Sequence, residues 1–367
     1  NNYIEDKCGS EGKIDMKTSK ILRKVQLTGG ATLIVSLPKE WVKTVNLKPG
    51  DYVEIIPQPD NSLKIALAKE TGKPLETSFK VHENMSPTAA VREFVSRYIL
   101  GFNKIKVYLH GRTRRQRNAI KEYMARSLIG VEVVEETENS MTVQCLAGHS
   151  ELPLKTALRR EATSTYYMIN DVLRNIIEPD LEMLIDIIRR DDEVDKFYLY
   201  IMRQMNLVAS GIIMPQDVGI NNVGETIEYV MLSKAIERVA DHATQIATVL
   251  TDLVRENITI EDGVKKTIYD FGSNALELYI SSIKALFKRD TITAHDVIDR
   301  SVEVKGLEDE VLKLILSSGS IIARKALALR TILESFKRIA YYSMDISELV
   351  ISLIIRSPQT ASGTTTR

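Results

Sequence analysis

Two hydrophobic periods divide this chain. Up to about Leu67 apolar positions recur at every second residue. Ile21–Leu27 (ILRKVQL) alternates apolar with basic or polar side chains, Thr32–Leu37 and Tyr52–Ile56 are rich in β-branched residues, and Ser62–Ala66 closes the set. Turn chemistry separates the runs: Thr28-Gly29-Gly30, Pro38, Lys48-Pro49-Gly50-Asp51 and Pro57 to Asn61. Lys39–Thr44 reads as a short helix with Pro38 where a first turn tolerates it. The module spans 17–67, and four short strands with one short helix can hardly bury an apolar face of their own. It is expected to dimerise.

From 77 to 147 the pattern becomes strand, helix, strand, helix, strand, strand, the order of a small α/β sandwich. Ser86-Pro87-Thr88 caps a helix that runs to about Leu100, Lys104–Leu109 is a strand, Arg114–Leu128 is helical, and Val131–Glu135 with Met141–Cys145 forms a hairpin. After Pro153 the period changes to 3.6 and stays there to about Arg356.

An internal repeat lies in this last region. Helices over Thr156–Ile177, Leu181–Met205 and Thr226–Arg255 answer helices over Gly263–Lys288, Thr293–Leu316 and Ile322–Arg356. Ala235-Ile236-Glu237-Arg238-Val239-Ala240 aligns with Ser335-Phe336-Lys337-Arg338-Ile339-Ala340, giving two three-helix repeats at 155–256 and 262–356. The first alone carries an inserted loop, Ser210–Asn222. The ends, 1–16 and 357–367, are polar and rich in small residues and read as disordered. The expected fold class is therefore multidomain α+β.

Composition narrows the function. Across 367 residues, 49 basic and 49 acidic side chains cancel, so partners must be sought in local charge. Two cysteines, Cys8 and Cys145, and five histidines without metal-ligand spacing exclude a disulfide scaffold and a zinc finger. No apolar run reaches the roughly 20 residues of a membrane span, so a cytoplasmic protein without membrane insertion is expected. Nucleophile-elbow, Walker, dinucleotide-binding and His-Glu-x-x-His patterns are absent, and nothing points to an enzyme.

Three clusters remain as candidate chemistry. Within Lys17 to Lys64 eight bases face four acids, and Arg23, Lys24, Lys39 and Lys43 offer one basic face for phosphate contact, against the alternative of ordinary surface lysines. A second basic surface, Arg112, Arg114, Arg115, Arg117 and Lys121, suits DNA phosphates, an acidic partner or simply solvent. The sharpest is acidic. Asp191 with Asp195, and Glu237 with Asp241, are i,i+4 pairs on the second and third helices of the first repeat, so four carboxylates can meet at one surface. Such oxygen ligands suit Mg²⁺, Ca²⁺ or Mn²⁺, and His242 brings iron or zinc into range; a solvated face neutralised by Arg238 is the alternative. At the matching places the second repeat has Val304, Glu308, Lys337 and Tyr341, so a second site of equal chemistry is not expected.

These residues carry two resemblances. Arg23 through Ile56, with Gly30, LIVSLP at Leu33–Pro38, Lys39-Glu40-Trp41 and Leu47-Lys48-Pro49-Gly50-Asp51, resembles the AbrB/MazE/SpoVT family of swapped-hairpin modules. That resemblance implies an intertwined homodimer docking on duplex DNA through Arg23, Lys24, Lys39 and Lys43. The helical half is similar to the PhoU family, whose marker of an acid, three others, then Asp fits Asp191/Asp195 and Glu237/Asp241; Glu237-Arg238-Val239-Ala240-Asp241-His242-Ala243 is the most specific string. This resemblance implies two three-helix bundles and bound metal ions, iron or zinc clusters among them, at the first repeat. The combination resembles archaeal phosphate-uptake regulators, and implies a DNA-binding transcriptional regulator of phosphate homeostasis. The alternatives are an adaptor contacting a phosphate transporter or signalling kinase, and an architectural DNA-binding protein.

Overall fold

The computed structural model describes residues 21–57, 62–67, 75–146, 151–317 and 323–356, with the side chains of 305–317 left aside. The terminal segments expected to be disordered lie outside the described residues. The chain forms two compact units, residues 1–73 and 74–367.

In the first unit β1 (Gln26–Thr28) and β2 (Thr32–Ile34) make one antiparallel hairpin, α1 (Lys39–Thr44) follows, and β3 (Val53–Pro57) with β4 (Leu63–Leu67) makes another. The first turn needs Gly29 and Gly30, both at positive φ with nothing crowding them. The expected strand over Ile21–Leu27 is mostly unpaired: only its last two residues enter β1, because the hairpin has no third strand to hold the rest. None of the described side chains of this unit is buried, and Leu22, Val25, Leu27, Leu33 and Ile55 are all more than half exposed. A fold does not leave such strands bare unless something else covers them.

The second unit begins with the α/β sandwich: β5 (Glu76–His82), α2 (Pro87–Ile99), β6 (Lys104–His110), α3 (Arg114–Ser127), β7 (Val131–Glu136) and β8 (Ser140–Cys145). The sheet order is β5-β6-β8-β7, with β5 and β6 parallel and the other pairs antiparallel. Alternation sends Phe79, Val81, Ile105, Val107 and Leu109 into the core and leaves Ser78, Lys80 and Tyr108 outside. The Ser86 hydroxyl caps α2 by accepting the Ala89 N–H at 3.1 Å, with Pro87 in the first turn.

The helical region follows as α4 (Leu154–Ile177), α5 (Leu181–Ala209), α6 (Glu225–Arg255), α7 (Asp262–Lys288), α8 (Thr291–Ser317) and α9 (Ala323–Arg356). Both repeats start their second helix alike: Asp180 Oδ1 accepts the N–H groups of Glu182 and Met183, and Asp290 Oδ1 those of Ile292 and Thr293. One continuous core joins the repeats. Gly272 lets α7 lie close to its neighbours: a Cβ there would stand 2.6 Å from Phe336 and 2.7 Å from Leu173. No helix among the described residues is long and apolar enough to cross a membrane.

Helix α5 also belongs to the sandwich. Leu199 is part of the sandwich core, and Arg203, 3% exposed, donates to the carbonyls of Tyr98, in the last turn of α2, at 2.6 Å and of Phe102, just beyond it, at 2.9 Å. Gly101, at φ +94°, turns the chain there so closely that a Cβ would lie 2.5 Å from Leu207.

A carboxylate cluster between two helices as candidate functional site

Helices α5 and α6 pack side by side, and this brings the four sequence-selected carboxylates into one electrostatic neighbourhood. Asp195 is pushed up to about 7, first by burial and then by Asp191, Glu237 and Asp241. Asp191 rises to about 6 through burial, Asp241 and Glu237. Burial also raises Glu237, against the pull of Lys234. Mutual repulsion across two helices identifies these groups as a set, which a solvated helix face does not produce.

The set is incompletely satisfied. Asp191 Oδ1 and Glu237 Oε2 are buried with no hydrogen-bond partner; Thr244 sits near Asp191 without completing a bond, and Arg238 Nε stands 3.9 Å from Glu237 Oε2. His242 Nδ1 is likewise unpartnered, its ring stacked on Tyr342 at 5.9 Å and its basicity lowered by burial. Unpaired buried carboxylate oxygens facing other carboxylates fit a hard cation. As the side chains stand, however, no three His, Cys, Asp or Glu groups among the described residues converge closely enough to hold a metal ion. The set is gathered electrostatically but open.

Part of the missing positive charge is supplied from within. Lys234 Nζ lies 2.5 Å from Glu237 Oε1 and 4.8 Å from the centre of the Tyr198 ring. Arg238, the counter-charge expected from the sequence, pairs with the half-exposed member of the set, Asp241, at 3.2 Å. A further carboxylate missed in the sequence lies behind the set. Glu161 on α4 is fully buried, accepts from Ser233 Oγ at 2.8 and 2.9 Å, and is raised well above the carboxylate range by burial, although Ser233 opposes the shift, with Glu237 and Asp195 adding to it. Its signal was register: Ala157, Glu161, Thr165 and Met168 form one buried stripe, so a charge there is inside.

The basic candidates fare unequally. Arg23 and Lys24 lie just ahead of β1 rather than on a strand, and Lys39 and Lys43 occupy the first and last turns of α1; all four are exposed. On α3, Arg117 is drawn to Glu136 and to the carbonyls of Thr137 and Glu138, and Lys121 to Glu136 at 2.9 Å. They pin the β7–β8 hairpin, leaving Arg112, Arg114 and Arg115 as the exposed remainder of that surface. Arg126, from the same helix, reaches Asp192 at 3.1 Å, next to the acidic set.

Fold and site thus define a strand module followed by an α/β sandwich and two three-helix repeats, the first of which carries an acidic set. The PhoU domain matches residues 158–250 and 268–350, and the family described as antidote-toxin recognition MazE, bacterial antitoxin, matches residues 26–74. The chain thus matches the PhoU domain twice, behind a match to the MazE module. Two solved structures are similar: PhoU from Pseudomonas aeruginosa, at 18% identity, 56% of this chain, 96% of that one and a TM-score of 0.48, and the phosphate transport system regulatory protein PhoU from Streptococcus pneumoniae, at 18%, 55%, 92% and 0.44. Among curated proteins none matches the chain.

Proposed function

We propose that this is a non-enzymatic, homodimeric DNA-binding regulator of phosphate uptake, acting in the cytoplasm, whose first helical repeat takes up a divalent, iron or zinc ion. The observation that carries this reading is the N-terminal module, which buries none of its described side chains yet displays Arg23, Lys24, Lys39 and Lys43. Pairing with a second copy covers the bare strands and doubles the basic face, and phosphate contacts supply affinity. The resemblance to phosphate regulators and the PhoU domains behind the module support the physiological assignment.

At the acidic set Asp191, Asp195, Glu237 and Asp241 would hold the ion, which supplies positive charge and no redox or hydrolytic step. Binding replaces repulsion between α5 and α6 by attraction, and couples to the rest only if the two packings differ in affinity for it. The test is a titration of the full chain against a phosphate-transport promoter fragment and a scrambled duplex at two salt concentrations. The regulator prefers the promoter by at least about tenfold, roughly 1.4 kcal/mol, and the pair Arg23→Ala and Lys24→Ala flattens the salt dependence. Equal, tight and phosphate-indifferent binding would instead indicate an architectural protein.

A second reading, an adaptor docking on a transporter or kinase, is favoured by one observation. Ile227 and Met231, one turn apart on α6, and Val223 in the turn just ahead of it are 62%, 51% and 43% exposed. An adaptor binds both duplexes weakly and loses its protein partner when Ile227 and Met231 become Ser.

A further inference from the structure

The sandwich sheet has one covered face and one bare one. Strands β5 and β6 run parallel, so their outward residues stand side by side as Glu76–Lys104, Ser78–Lys106, Lys80–Tyr108 and His82–His110, while Phe79, Val81, Ile105, Val107 and Leu109 fill the opposite face. Strand β8 continues the bare face with Gln144, Thr142 and Ser140, and β7 ends it with Glu132 and Glu135. Rings and cations interleave on the β5–β6 half. The His82 and His110 imidazoles are stacked with centroids 5.2 Å apart and planes inclined by 19°, Tyr108 is 37% exposed, and Lys106 Nζ lies 5.4 Å from the centre of the Tyr108 ring. Lys80 is exposed beside Tyr108, and Arg112, Arg114 and Arg115 are exposed just after His110; none of the four forms an ion pair among the described residues. The acids nearby are answered or distant. Glu76 pairs with Lys104 at 3.4 Å, Glu83 Oε2 accepts the Arg112 N–H at 3.4 Å, and Glu132 and Glu135 lie on β7, two strands from β6.

A partner for this face must answer both its charge and its rings. A helix or a two-stranded ribbon enters the major groove of a duplex, and a face of four strands is too broad for it. Inorganic phosphate or an acidic peptide engages the cations and leaves the rings unused. A single strand offers phosphates and free base faces together. Tyr108 and His110 stand two residues apart on one strand, about 6.6 Å, against the ~3.4 Å between neighbouring bases of a stacked strand, so bases resting on them must first part from one another. We propose that this face binds single-stranded nucleic acid, with bases on Tyr108 and the His82–His110 pair and phosphates on Lys80, Lys106, Arg112, Arg114 and Arg115. The surface lies outside both the N-terminal module and the acidic set, and binding there rests on neither.

Stacking and phosphate contact are common to RNA and DNA, so both are tried. The full chain is titrated by fluorescence anisotropy with labelled oligouridylate and oligothymidylate of about ten residues, with excess duplex present to occupy the N-terminal module. Saturable binding is expected, and a preference for one strand identifies the source. Tyr108→Ala with His110→Ala, both exposed and checked for fold by circular dichroism, weakens binding by about tenfold or more, whereas Tyr108→Phe keeps it. Lys80→Gln with Lys106→Gln lowers the salt slope, and Arg23→Ala with Lys24→Ala changes nothing. Four results would overturn the proposal: neither strand binding saturably, duplex displacing the single strand, the Tyr108 and His110 double variant binding as the wild type does, or inorganic polyphosphate competing as an equal, which marks a mere basic patch.

Discussion

The two helical repeats share a scaffold and differ at one stretch of their third helix. In the first, Lys234 pairs with Glu237; at the aligned places of the second, Glu334 pairs with Lys337, the same i,i+3 ion pair with its polarity reversed. The second helix follows suit, with Asp191 and Asp195 answered by the buried Val304 and by Glu308, whose side chain lies outside the described residues. The consequence is electrostatic. Glu334 is partly buried, but Lys337 and Arg338 overcome that and hold it below the usual carboxylate range, whereas Asp195 is driven to about 7. Packing is indifferent to this exchange: the Asp180 and Asp290 caps and the shared core are the same on both sides. A three-helix unit therefore keeps its fold while its charged positions change from a repelling set to a neutral pair.

The comparison breaks most visibly on metal uptake. Glu237→Ala with Asp241→Ala should abolish divalent-ion binding measured by elemental analysis after dialysis, while Lys337→Ala with Tyr341→Ala should leave it intact; equal loss from both would erase the distinction. Next in size is pH. Asp191 and Asp195 titrate at about 6 and 7 when folded against an ordinary 3.8, so the native chain holds more protons between about pH 4 and 7, and stability falls as pH rises through that window. Denaturant unfolding should show a loss on the order of 2 kcal/mol between pH 5 and 8 without metal. Asp195→Asn should remove most of that slope. Lys234→Met should sharpen the contrast in the other direction: with the internal counter-ion gone, ion affinity rises by about tenfold, on the order of 1.4 kcal/mol, by calorimetry. The smallest effect belongs to the second repeat, where Glu334→Gln should cost less than about 1 kcal/mol by denaturant unfolding, since the pair is partly solvated.

Much of the helical half was legible because its signals are local. The 3.6 period places all six helices within a few residues of where they lie, and Asp180 and the Ser86-Pro87 pair mark helix starts through chemistry internal to one turn. The β module was less legible: alternation over Ile21–Leu27 predicts a seven-residue strand, but pairing is a property of two strands, and only Gln26–Thr28 finds a partner. The four carboxylates were found from i,i+4 spacing, yet their relation across helices, the intrusion of Lys234 and the depth of Glu161 depend on how α4, α5 and α6 are rotated. Arg203 was hidden for the same reason: nothing local says that a charged residue on α5 will end at the carbonyls of Tyr98 and Phe102.

Helix α5 is one rod of 29 residues that holds Asp191 and Asp195 near its middle and the Leu199–Arg203 anchor about two turns further on. A helix that long does not melt in halves while both ends are packed, so the sandwich and the first repeat cannot open separately. Amide hydrogens of β6, α2 and α5 should therefore exchange with a common opening free energy, whereas those of α8, which shares no element with the sandwich, open on their own account. Cooperativity in this protein follows shared helices rather than the boundaries that sequence matches draw.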